Sequence, residues 1–128
     1  MNVEAITAEE AKGRLDAGEA VVFIDARNED AWKSSEWQIP RARRLPPDQI
    51  EAHLDDVPLA DLIVAYSGSA EVASTVAHRL AEYGWPNVRP LLGGHEGWRA
   101  AGYPTESKPP HKLTLEEAAS NLQKAEGE

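Results

Sequence analysis

Three side chains able to share chemistry each stand at or just after the end of a strand-like segment. Asp25 ends Val21-Val22-Phe23-Ile24, Ser67 follows Leu62-Ile63-Val64-Ala65-Tyr66, and His95 follows Val88 to Leu92 and the pair Gly93-Gly94. A hydroxyl, an imidazole and a carboxylate are the groups that acyl transfer uses as nucleophile, base and orienter. In an open parallel sheet the C-terminal ends of the strands share one edge. If the three runs are strands, Ser67, His95 and Asp25 therefore meet in one region. Ala65-Tyr66-Ser67-Gly68-Ser69, however, lacks the flanking glycines of the G-x-S-x-G elbow. A Ser67-dependent hydrolase is thus a minor alternative. His95 reads as an exposed residue at a helix start.

Other chemistries are excluded by composition. The 128 residues contain no cysteine, which removes disulfides, zinc–thiolate sites and every thiol reaction. His53, His78, His95 and His111 stand singly, at no metal-ligand spacing. No metal or cofactor is expected. The formal charge is −9, from 13 basic and 22 acidic side chains, a balance that disfavours nucleic acid and anionic membranes. No apolar run approaches the ~20 residues that span a bilayer. The N-terminus Met-Asn-Val-Glu-Ala-Ile-Thr has neither a basic start nor an apolar core. A cytoplasmic protein is expected.

The positioning elements follow from periodicity. Thr7-Ala8-Glu9-Glu10 is a capping box that opens a helix, which Gly18 stops. Asn28 to Lys33 predicts a short helix or turn carrying Trp32. Pro46-Pro47 is expected to open a helix with Ile50 and Leu54 on one face. Glu71 to Tyr83 predicts a longer helix, its Val72, Val76 and Leu80 in one stripe and Gly84 as its cap. The runs 21–24 and 62–66 predict buried strands, Val88 to Leu92 a third strand, and His95 to Ala101 a last short helix. Alternation of this kind implies a parallel α/β sheet. Alanine supplies 20 residues, so helices are expected to pack closely. The composition divides the chain into a domain over 1–105, a linker over 106–112 and a C-terminal helix or tail over 113–128.

Three motifs in order resemble the rhodanese homology domain. Val21-Val22-Phe23-Ile24-Asp25-Ala26-Arg27 is similar to a strand ending in Asp-Val-Arg. Gln38-Ile39-Pro40-Arg41-Ala42 is similar to His-Ile-Pro-Gly-Ala. Leu91-Leu92-Gly93-Gly94-His95-Glu96-Gly97-Trp98, then Gly102-Tyr103-Pro104, resembles the Gly-Gly-x-x-x-Trp…Gly-x-Pro ending. The resemblance implies a single α/β domain, with a central five-stranded parallel sheet flanked by helices. It assigns structural roles to Asp25, Arg27, Gly93, Gly94 and Trp98.

In active members of that family a cysteine ends the strand corresponding to 62–66 and carries the transferred sulfur. The matching position here is Ser67, and the active-site-like loop is Ser67, Gly68, Ser69, Ala70, Glu71 and Val72. Oxygen forms no persulfide, and a serine hydroxyl is essentially un-ionised at neutral pH, whereas a thiol is partly thiolate. Glu71 satisfies the helix dipole and repels anions, and no Arg or Lys stands between Ser67 and Arg79. Ser67 and Ser69 read as helix caps, with a small anion on the loop amides as the alternative. The expected function is a catalytically inactive binding or regulatory module. A sulfurtransferase in which Ser67 replaces an original cysteine by engineering is the enzymatic alternative. Arg41, where the family has glycine, implies strain if its φ is positive. Arg41, Arg43 and Arg44, or the C-terminal helix, are the candidate protein-binding surfaces.

Overall fold

The computed structural model describes residues 3–108. The expected helix over 113–128 lies outside them.

Thr7 caps α1 (Ala8–Asp16), its hydroxyl accepting from the Glu10 N–H at 3.1 Å. Only this half of the capping box forms, because the Glu10 carboxylate pairs with Arg89 at 2.9 Å. After β1 (Val21–Asp25), Asn28 caps α2 (Glu29–Ser34) through the Ala31 N–H. Two short strands follow, β2 (Trp37–Gln38) and β3 (Arg43–Arg44). The α-helix expected after Pro46-Pro47 is instead a 3-10 helix over Glu51–Asp56. No side chain caps it, and His53 leaves helical geometry at φ −122°, so the regular i→i+4 ladder does not form. Then come β4 (Leu62–Tyr66), α3 (Ala70–Glu82), β5 (Val88–Pro90), α4 (Gly94–Ala100) and β6 (Glu106–Ser107).

The main sheet runs β3-β1-β4-β5 and is parallel throughout. It has four strands where the resemblance implies five. The missing edge strand shrinks to one bridge, Ile6 to Leu91, with Ile6 N–H on Pro90 O at 2.9 Å. Thr7 already caps α1, so the chain turns into helix before a second pair can form. Composition predicts a linker from 106, yet Glu106 and Ser107 pair antiparallel with Gln38 and Trp37.

All five residues of β4 are buried, and they divide by parity. Ile63 and Ala65 pack with Val76, Ala77 and Leu80 of α3, Ile50 and Val57. Leu62, Val64 and Tyr66 pack with Ile6, Ala11, Phe23 and Trp98 on the other face. Period-two alternation thus gives one strand two cores. Buried Ala73, Ala77 and Ala81 let α3 approach the sheet closely. Trp98 is fully buried, edge-on to Phe23 and Tyr103 at 5.1 Å each, and its indole N–H donates to Pro104 O at 2.7 Å.

The C-terminal strand ends are drawn together by glycine. Gly93 and Gly94 have φ of 79° and 58°, and a Cβ on Gly94 would stand 2.0 Å from the Ser67 carbonyl oxygen. Both backbone sign and space therefore require glycine at 94. Gly94→Ala is expected to destabilise the fold by about 2 kcal/mol or more, read as a lower midpoint in urea denaturation. An unchanged midpoint would show that the turn relaxes freely.

Candidate functional site

Ser67 leaves the end of β4 with 5% of its surface exposed, beside the Gly93-Gly94 turn. Gly68, Ser69, Ala70 and Glu71 are exposed and Val72 is half-buried. Two of the loop's N–H donors are met from within. Ser67 Oγ accepts from the Ser69 N–H at 3.4 Å, and Ser69 Oγ accepts from the Val72 N–H at 3.3 Å. The second contact makes Ser69 the N-cap of α3. The groove beside the loop is lined by Glu71 and Asp48 together with Pro47, Val72, Thr75 and Val76. Two carboxylates, one of them not foreseen, therefore line a groove that meets the loop at Glu71 and Val72.

Asp25 and Arg27 form a buried fork. Arg27 Nε donates to Oδ1 at 2.9 Å and Nη2 to Oδ2 at 2.6 Å, with the side chains 4% and 1% exposed. The Arg27 N–H also donates to Oδ1, and Nη2 reaches Trp37 O at 3.0 Å. Burial works against the Arg27 cation, but its bonds to Asp25 prevail and hold its pKa above the ordinary value. Arg44 Nη1 donates to Asp25 O at 3.0 Å and to Arg27 O. Its guanidinium lies 4.8 Å from the Trp32 ring centre, and the Lys108 ammonium lies 4.0 Å from the same centre. Burial lowers the pKa of both cations.

His95 is not exposed as its position suggested. It is 4% exposed, its ring stacks on Tyr66 at 6.0 Å, and its buried Nε2 has no hydrogen-bond partner among the described residues. Burial first, then the charge of Arg27, lower its pKa. Tyr66 is pushed the opposite way by burial and by Asp25, so both rings are neutral near pH 7. The sheet edge brings Ser67, His95 and Asp25 into one region without linking them. Asp25 spends both oxygens on Arg27, and no bond joins His95 to Ser67 or Asp25 among the described residues. Likewise no His, Asp and Glu group there could hold a metal ion.

The basic cluster divides. Arg44 turns inward to the fork and Trp32, whereas Arg41 and Arg43 are exposed and line a separate cleft. Arg41 sits at φ 63°, the positive value foreseen for a glycine position. Its N–H donates to Glu106 at 2.6 Å, and Gln38 Nε2 donates to the same oxygen at 2.9 Å. These two bonds lower the Glu106 pKa. Nothing local in the sequence announces a carboxylate 65 positions away. Trp37, in β2, is 39% exposed.

Two outcomes follow from this geometry. Asp25→Ala strands a buried guanidinium and is expected to lower stability by about 3–5 kcal/mol, measured by urea denaturation; a loss under 1 kcal/mol would mean that the fork does not hold the edge. For His95 the folded pKa lies below the unfolded value of about 6.5. As pH falls below that value, the unfolded chain takes up a proton that the folded chain refuses. Stability therefore drops with falling pH, by at most about 1.4 kcal/mol per unit. His95→Phe is expected to flatten this slope between pH 7 and 5 in pH-resolved denaturation, and an unchanged slope would contradict the assignment.

Comparison with known proteins bears on all of this. The sequence profile of the rhodanese-like domain matches residues 7–101. No curated protein matches the chain. The solution structure of the rhodanese-like domain of the Alr3790 protein from Anabaena sp. is 25% identical, with a TM-score of 0.69 and 89% of each chain covered. BH2092 from Bacillus halodurans is 22% identical, with a TM-score of 0.68 over 91% of this chain and 89% of that one. RPA3614 from Rhodopseudomonas palustris, described as a possible tyrosine phosphatase, is 22% identical, with a TM-score of 0.67 over 81% and 85%. With the profile spanning most of the 128 residues, the chain belongs to the rhodanese-like domain family.

Proposed function

We propose that this rhodanese-like domain is a catalytically silent, cytoplasmic binding or regulatory module. The observation that carries the reading is Ser67, which occupies the end of β4 and the mouth of the loop into α3, in a chain without cysteine. Sulfur transfer in this family needs an atom that attacks the donor, holds the sulfane sulfur and releases it. A hydroxyl does none of these at neutral pH.

The surroundings of Ser67 support the same reading. The Ser67 and Ser69 oxygens occupy loop N–H groups that would otherwise face an anion. Glu71 and Asp48 line the adjoining groove. Lys108 and Arg44 are engaged with Trp32, and Arg27 with Asp25. Hydrolase chemistry at Ser67 is disfavoured too, since among the described residues no base is hydrogen-bonded to it.

The purified protein is expected to transfer no sulfur from thiosulfate to cyanide above the buffer rate. Turnover above that rate would overturn the proposal. Ser67→Cys separates the serine from its setting: with Glu71 and Asp48 in place, the variant is expected to form no persulfide from thiosulfate, as read by mass spectrometry. A loaded variant would show that the serine alone silences the loop, and would favour an engineered or recently lost cysteine.

A further inference from the structure

One edge of the main sheet is only partly paired. β3 meets β1 at Ile24 with Arg43 and Asp25 with Arg44, and no further. Among the described residues no other strand lies on that side of Val21, Val22 and Phe23. The ladder shows which groups are left over. Leu62 N–H donates to Ala20 O at 3.1 Å and Ala26 N–H to Tyr66 O at 2.8 Å. Even-numbered residues of β1 thus turn their peptide groups toward β4. Odd-numbered residues turn theirs the other way, where Leu45 N–H reaches Asp25 O at 3.0 Å. The N–H groups of Val21 and Phe23 and the carbonyl of Val21 consequently point along the unpaired edge. An edge of this kind is a template for another strand.

A cleft of about 390 Å³ follows the same stretch, with Leu15, Val21, Phe23 and Pro40 in its lining and Arg41 and Arg43 beside them. Among the described residues neither arginine has a carboxylate at ion-pair distance. The charges of neighbouring α1 are already matched, Lys12 with Asp16 at 2.6 Å and Arg14 with Glu19 at 2.8 Å. The Arg41 charge is felt by Glu106 from beyond ion-pair distance, and in a chain of net charge −9 two guanidinium groups on one cleft favour acidic ligands. Arg41 also sits at a positive φ, and strained backbone positions concentrate at functional sites.

We propose that this edge receives an extended acidic segment of a partner protein as an added strand. Its main chain bonds to Val21 and Phe23, one set of alternate side chains enters the apolar cleft, and its carboxylates meet Arg41 and Arg43. The surface is independent of Ser67, so it stands or falls apart from the catalytic reading. Val21 and Val22 are half-buried and Phe23 is 3% exposed, so an incoming strand meets only a short backbone edge and the contact is weak and transient.

The test is titration of the full isotope-labelled chain with a short acetylated peptide alternating valine and glutamate, followed by NMR. Val21 and Phe23 amide signals are expected to shift. Arg41→Glu with Arg43→Glu is expected to weaken binding about tenfold or more, and Arg43→Glu alone, at an exposed strand position, serves if the Arg41 turn is disturbed. The same peptide with alternate amides N-methylated is expected not to bind, because strand addition needs them. Unmoved edge amides, equal binding by a valine–lysine peptide, or undiminished binding by the methylated peptide would each overturn the proposal. So would a dimer in light scattering that Arg43→Glu converts to monomer, since the edge would then already hold a second copy of the chain.

Discussion

A buried carboxylate sharing both its oxygens with one guanidinium organises the C-terminal edge of this sheet. Asp25 and Arg27 are two residues apart, so the pair closes locally, but its reach is long. Arg27 extends to the Trp37 carbonyl and so to the short β2–β6 ladder. Arg44 joins the carbonyls of both partners to β3 and to Trp32. An ion pair this deep adds little net stability over an apolar replacement, yet removal of either half is severe. Its reach ties the loops above the sheet to one charge pair, through the carbonyls of Asp25, Arg27 and Trp37. Tyr66 and His95 then stack above β4 as neutral rings.

The same edge separates the scaffold of the family from its reaction. Gly93 and Gly94 bring the last turn against the Ser67 backbone whatever side chain stands at 67, because the close approach is to a carbonyl oxygen. Trp98 and its T-shaped partners fill the core behind that turn. None of these contacts needs sulfur. A fold maintained by backbone sterics, aromatic packing and one ion pair can therefore keep its shape when the nucleophile changes, and function has to be argued from the site itself.

Much of the architecture was legible because it rests on local signals. Continuous apolar runs marked β1 and β4, Val88 to Leu92 marked β5 with two residues too many, Thr7, Asn28 and Ser69 marked helix starts, and the Gly93-Gly94 pair marked a tight turn. What was not legible depends on partners far along the chain. The fifth strand reduces to one bridge because α1 begins at once after Thr7. His95 is buried by stacking on Tyr66, which no short window of sequence displays. Glu106, inside a stretch of linker-like composition, supplies the acceptor that steadies the left-handed turn at Arg41. Arg44 parts from its neighbours because successive strand residues face opposite sides, a consequence visible only once 43–44 is known to be a strand.

The central claim is that position 67 cannot carry sulfur in this chain. Intact-mass spectrometry of the wild-type protein after incubation with thiosulfate, and separately with a low-molecular-weight persulfide, addresses it directly. The account predicts an unmodified mass under both conditions. A sulfur adduct that maps to the Ser67–Val72 loop would contradict it.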